Sequence, residues 1–347
     1  MSRQKLIGLL ILGILIISGD YFFGHNAKWY QEPVFKITTI KEEKMTDTEF
    51  NQQLEGHLLN QSQQALTIAH RYYYSEADSV KLHVGDTVFL DKQLHQVSQV
   101  KRDQQVFRLL SAFLCVLYLF SSRQFGKNMA IITLNTLVFL LIAKGYTQVG
   151  NFSLVGAMML YSLISVGLTT AFLSQNHRQR LAIILSTIGG TFFAWGIALW
   201  VLKVTHHAGL RYEDIGIVTR PYRSIYYSSL LIGTLGATTD IAVTIVSTIT
   251  EVLAQQPKAN TKTLYNVSRN VGQNILGPMT NVLFFVCLSE VIPLSLLYLE
   301  NGWTYQNTFS SLLSLELCRA LTGGLGIALT IPLSVLVGSR LLRGDNS

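Results

Sequence analysis

Long apolar runs separated by short polar loops dominate this chain. A helix needs about 20 mostly apolar residues to cross a bilayer. Eight segments meet or approach that length: 6–23, 107–120, 129–143, 152–173, 181–201, 225–250, 275–299 and 312–341. The second and third are short enough to be read also as a re-entrant pair, although 121–128 between them looks like an ordinary loop. The pattern changes over 25–106. There, apolar and polar residues alternate in 34–40, 66–74, 81–90 and 96–100, which is the period of a strand. Val84-Gly85-Asp86-Thr87-Val88 reads as strand, tight turn, strand. A short amphipathic helix is expected near 46–59, and Tyr72, Tyr73 and Tyr74 are expected to pack along a strand. The predicted fold is an all-α polytopic membrane bundle of about eight transmembrane helices. A small extracytoplasmic β-domain, a barrel or sandwich, is inserted after the first helix. The expected domains are an anchor at 1–24, the β-domain at 25–106 and a seven-helix membrane domain at 107–347.

Composition agrees with the pattern. Residues are 49% hydrophobic and only 14% charged, whereas soluble domains carry about 25% charged residues. The net charge of +7 is therefore read against topology, not as a sign of nucleic acid, because Lys and Arg collect in cytoplasmic loops. Arg3 and Lys5 precede the first helix, Arg123 and Lys127 follow the second, and Arg178 and Arg180 follow the fourth. Lys258, Lys262 and Arg269 follow the sixth, and Arg340 and Arg343 close the chain at the end of the last. Eight crossings with both termini in the cytoplasm put all of these on one side. The segment 203–223 is the exception, with Lys203, Arg211, Arg220 and Arg223 on the other side, offset in part by Glu213 and Asp214.

Cys115, Cys287 and Cys318 all lie in apolar segments, so neither a disulfide framework nor a zinc spacing is expected. Seven histidines fall on the expected outer side: His25, His57, His70, His83, His95, His206 and His207. Only His206-His207 is closely spaced, and neighbours on a helix do not face each other, so no metal and no cofactor are expected. The glycine run at Gly323, Gly324 and Gly326 lies inside the last apolar segment, where it favours close helix approach.

The candidate chemistry lies in the last three apolar segments. Asp240 sits within the sixth, and Asp240, Thr244, Ser247 and Glu251 recur at a spacing that puts them on one helical face. Charged side chains at membrane depth normally face a bundle interior or a wet cavity. The stripe is thus expected to face a polar interior, with Asp240 against the seventh or eighth helix. In the seventh segment, Pro278 fits a first helical turn, Asn281 can bond across helices, and Glu290 precedes Pro293 as at a hinge. In the eighth, Glu316 and Arg319 stand at i, i+3 and can pair. The simplest account is a structural ion pair at the outer end of the helix; the alternative makes Arg319 the counter-ion to Asp240 or Glu290. No nucleophile–base pair or phosphate loop is visible, so an enzyme is not expected.

These segments resemble the YibE/F-like family of bacterial membrane proteins. The resemblance rests on Gly236-Ala237-Thr238-Thr239-Asp240-Ile241-Ala242-Val243-Thr244-Ile245-Val246-Ser247 with Glu251, on Asn281-Val282-Leu283, and on Glu316-Leu317-Cys318-Arg319-Ala320-Leu321-Thr322-Gly323-Gly324-Leu325-Gly326 with Pro332. Thr238-Thr239 departs from the more apolar residues of the family pattern, and Gly272-Gln273-Asn274 also diverges. The resemblance implies that the first segment is a retained anchor, where the basic start and Ser18-Gly19 would otherwise also fit a signal peptide. It further implies a partner: a second, related membrane protein or another copy. The expectation is a permease or exporter subunit of the bacterial plasma membrane, embedded in lipid, with Asp240 as the proton- or cation-linked group. The alternative is a non-transporting scaffold or sensor whose β-domain binds an envelope component or a partner.

Overall fold

The computed structural model describes residues 3–60, 65–74, 79–91, 93–94, 96–121, 125–148, 153–174, 176–210, 212, 222–257 and 259–343. His95, Arg123, Arg211, Glu213, Asp214, Arg220 and Lys258 lie outside them. The chain divides into two compact units, Met1–Gly126 and Lys127–Ser347.

In the first unit, α1 (Arg3–His25) leads through a 3-10 turn (Asn26–Trp29) into five strands: β1 (Val34–Lys44), β2 (Glu49–Leu58), β3 (Ala65–Tyr73), β4 (Thr87–Leu90) and β5 (Val97–Val100). They form one antiparallel sheet in the order β3-β2-β1-β4-β5. Alternation holds in β2, whose Gln52, Leu54, Gly56 and Leu58 are buried or nearly so between exposed or half-buried neighbours. The helix expected near 46–59 is thus a strand. Its buried residues recur at every second position, and a full ladder with β1 satisfies its backbone. Only Thr87–Leu90 of the run 81–90 is strand. Gly85 takes φ +97° and turns the chain before it. Gly56 faces β1 where that strand bulges between Ile37 and Thr39, and a Cβ there would collide with the Lys36 carbonyl. Phe35, Ile37, Leu54, Leu58, Ile68, Leu82, Val88 and Leu90 form the core of the sheet. Of the three tyrosines, Tyr72 stacks on Phe50, while Tyr73 and Tyr74 are exposed.

The sheet returns into α2 (Asp103–Ser121), which packs on α1. Arg108 pairs with Asp20, and Lys101 donates to the Phe23 carbonyl at 2.8 Å. Asp103 opens α2 where a carboxylate favours the helix dipole, and accepts from Asn26 at 2.9 Å and Tyr30 at 3.0 Å.

The second unit holds α3 (Phe125–Gln148, which starts just before it), α4 (Leu154–Leu173), α5 (His177–Val204), α6 (Tyr222–Gln255), α7 (Thr261–Glu300), α8 (Tyr305–Thr308) and α9 (Ser314–Arg343). A π turn, Phe309–Leu313, joins α8 to α9, so the eighth apolar segment is a composite rather than one uniform helix. Among the described residues, seven stretches are long and apolar enough to cross a membrane, α2 to α7 and Tyr305–Leu342 taken together; α1, the first expected span, is not among the seven and forms a helix of 23 residues. α2 and α3 are full-length helices of 19 and 24 residues.

α9 is the hub, packed against α5, α6 and α7. Its small residues allow this closeness. A Cβ on Gly190 of α5 would overlap Thr330, and one on Gly326 would press on Thr238. α7 differs most from its predicted start. It begins at Thr261 and runs 40 residues, so Pro278 lies mid-helix and not in a first turn. The polar composition of 261–274 hides this extension. Leu264, Ser268 and Gly272 are its buried residues, one per turn, and that narrow face seats it on its neighbours.

Candidate functional site

Helix α6 presents two opposite faces. Thr234, Thr238, Ile241, Ala242, Ile245, Val246 and Ile249 are buried. Asp240, Thr244, Ser247 and Glu251 share the other side: Asp240 and Glu251 are exposed, Thr244 and Ser247 half-buried. Their common face follows from 100° per residue, as the spacing predicts. Its direction does not. At Asp240 the stripe lies opposite the buried face and is exposed in the single chain, although α5 reaches the same side of α6 at Ser247 and α9 reaches it at Ser229 and Gly233. Thr244 donates to the Asp240 backbone carbonyl at 2.8 Å, and Gln179 of α5 donates to Ser247 at 3.4 Å. The Asp240 carboxylate has no hydrogen-bond or ion-pair partner among the described residues.

The second polar group is enclosed. Glu316, near the start of α9, is buried, and the Arg319 guanidinium donates to it one turn later. Arg319 also donates to the Ser229 hydroxyl of α6 at 3.2 Å, and its stem passes beside Gly233. From α7, Glu290 adds its charge to the field at Glu316, and buried Cys287 lies within that field. Glu290 itself is exposed, and Asn281 is also exposed on α7. Arg319 is therefore the counter-ion of Glu316. Ser229 precedes Asp240 by eleven residues, about 16 Å along a helix axis, which places Asp240 well away from that guanidinium.

Two further groups are not visible as sites in the sequence. Gly190 and Ala194 of α5 meet Thr330 and Gly326 of α9, with buried Ser186 one turn on along α5 and buried Ser334 one turn on along α9. The i, i+4 recurrence of small residues was the available signal, but hydroxyl residues in apolar helices are common enough to mask it. The other group lies between α5 and α6. His206 and His207 take left-handed dihedrals, φ 51° and 60°, so they are not on a helix. The His207 ring bonds Tyr212 at 2.8 Å and approaches the Tyr227 hydroxyl at 3.4 Å. Burial, with Arg223 and His206 nearby, holds the His207 pKa below its usual value. Burial pushes the Tyr212 hydroxyl up to about 12. No group of three or more His, Cys, Asp or Glu gathers to hold a metal among the described residues.

Two family models match the chain. The model described as YibE/F-like protein covers residues 109–344, and the YibE/F family N-terminal domain covers 28–104. No curated protein and no solved structure matches. The helices that can cross a bilayer agree with a multi-pass membrane protein. With its amino-terminal domain and its helical region both matched, this chain belongs to the YibE/F-like family.

Proposed function

We propose that the chain is a permease or exporter subunit of the bacterial plasma membrane, with both termini in the cytoplasm and no catalytic chemistry of its own. Its polar path runs along the α6 stripe of Asp240, Thr244, Ser247 and Glu251, with Asp240 as the proton- or cation-linked group. The observation that carries this reading is the Asp240 carboxylate, unpartnered among the described residues, mid-helix and exposed opposite the buried face. A carboxylate at that depth is costly against lipid and normally faces water or another protein. A second, related membrane protein or another copy closes the path. Glu316 and Arg319, with Glu290 and Asn281 nearby on α7, line its wall. The test is chemical access. In a cysteine-free background, cysteine placed at Asp240, Thr244 or Ser247 should react with a small charged thiol reagent in the assembled membrane, and cysteine at Ala242 should not. Silence at all three stripe positions would remove the path.

A second reading rests on the β-domain. His70 of β3 and Ser98, Gln99 and Val100 of β5 line one cleft of about 390 Å³ with Ser79, Leu82 and Arg102. A scaffold or sensor would use this polar cleft to bind an envelope component or a partner. Replacing Arg102 and His70 should then abolish function while the stripe variants retain it.

A further inference from the structure

Ser186 and Thr187 of α5 and Ser334 of α9 are fully buried, and their hydroxyl oxygens have no hydrogen-bond partner among the described residues. Other buried hydroxyls of the helical unit, on α4, α6 and α9, behave differently. Thr170, Thr234, Thr238 and Thr330 each donate to the carbonyl four residues earlier, at 2.7–3.0 Å. Ser186, Thr187 and Ser334 therefore have bonding capacity that their own helices do not use; Ser268, Thr308 and Ser311 share this property, but on α7, α8 and the π turn.

The helix register brings these three together. Ala194 lies against Gly326, Gly190 against Thr330 and Gly189 against Leu333, so α5 and α9 run antiparallel. One turn further along each helix, the same register sets Ser186 opposite Ser334. Thr191 of α5 bonds Thr238 of α6 at 2.6 Å. One more turn of that antiparallel pair sets Thr187 beside Ala242. On α9, Gly326 touches Thr234 and Thr238, while Gly338 touches Val246 and Ile249, so Ser334 falls between them at the level of Ala242. Three helices thus meet at one level around a small, fully buried alanine.

We propose that Ser186, Thr187 and Ser334 bind a buried water molecule at this three-helix junction. Buried waters typically make about three hydrogen bonds to groups that otherwise lack partners. Three hydroxyls, each able to donate or accept, supply that number. Water suits the site better than a cation. The set holds no carboxylate, and a buried charge without a counter-charge is unfavourable. Nor does a free carbonyl join it. The one released by Pro332, at Ala328, lies on the exposed face of α9.

The experiment compares the full chain with Ser186→Ala, Thr187→Val, Ser334→Ala and the pairwise doubles, reading Tm in detergent. Each single change should lower Tm by roughly 2–4 °C. The doubles should lose less than the sum, because the first change already releases the water. A dry junction gives the opposite sign, since removing an unpaired buried hydroxyl leaves Tm unchanged or raises it. That result, or strictly additive losses, would overturn the proposal. Tm should be the same in sodium, potassium and choline chloride; a rise specific to one cation would assign the site to that ion instead. The wild-type protein supplies a further check that no variant can confound. A high-resolution density map should show a peak within hydrogen-bond distance of all three oxygens, and hydroxyls in direct contact with no peak between them would end the idea.

Discussion

At the scale of single residues, the structure separates two carboxylates that the sequence presents alike. Glu316 is buried and bonded to Arg319, whereas Asp240 is exposed and has no bonded partner among the described residues. Their variants should therefore diverge. Arg319→Ala leaves Glu316 buried without its cation, which costs about 3–5 kcal/mol for a broken buried pair. Thermal unfolding in detergent should show a large loss, and Glu316→Gln in the same chain should recover much of it. Asp240→Asn should change stability by less than about 1 kcal/mol, since no bonded partner is stranded. If instead Asp240→Asn destabilised the chain as strongly as Arg319→Ala, a pairing of Asp240 with Arg319 would have to be restored. His207 adds a pH dependence. Its pKa in the folded protein lies below the unfolded value near 6.5, so folding favours the neutral ring. Its contribution is complete above that unfolded value and is lost as pH falls through the depressed one. The groups facing it are Tyr212, Tyr227, Arg223 and His206. Tm measured from pH 8 to 5 should fall, and His207→Gln should flatten that slope.

At the scale of elements, apolar length found the helices and missed their polar ends. α2 starts at Asp103 and α7 at Thr261, because capping, dipole and one-sided packing extend a helix beyond its lipid-like stretch. Alternation found β1, β3 and β5 but lost β2 to a helical reading. In that segment only pairing decides, and β2 gains ladders with both β1 and β3. Gly56 is the sensitive point of that pairing, since a Cβ would meet backbone that cannot swing aside. Gly56→Ala should destabilise the sheet by about 1–3 kcal/mol. Proteolysis of the β-domain in the full chain should report it, and wild-type resistance in the variant would contradict the close approach.

At the scale of the whole molecule, the cation asymmetry of the loops predicts both termini on one side of the membrane and the β-domain on the other. Labelling of intact cells should modify a cysteine at Ser79 and spare one at Lys262; the reverse pattern would invert the topology. Local sequence was enough for the membrane class, the β-domain after the first helix, the family resemblance, the Glu316–Arg319 pair and the shared face of Asp240, Thr244, Ser247 and Glu251. Each depends on composition or on spacing within one element, which the backbone period fixes. Only the tertiary structure decided that α9 is the hub, that Asp240 is exposed, and that Arg319 reaches Ser229. Only it set Ser186, Thr187 and Ser334 at one level. Helical periodicity places residues on a common face, but which neighbour covers that face depends on how side chains from distant segments fit together, and no single segment carries that information.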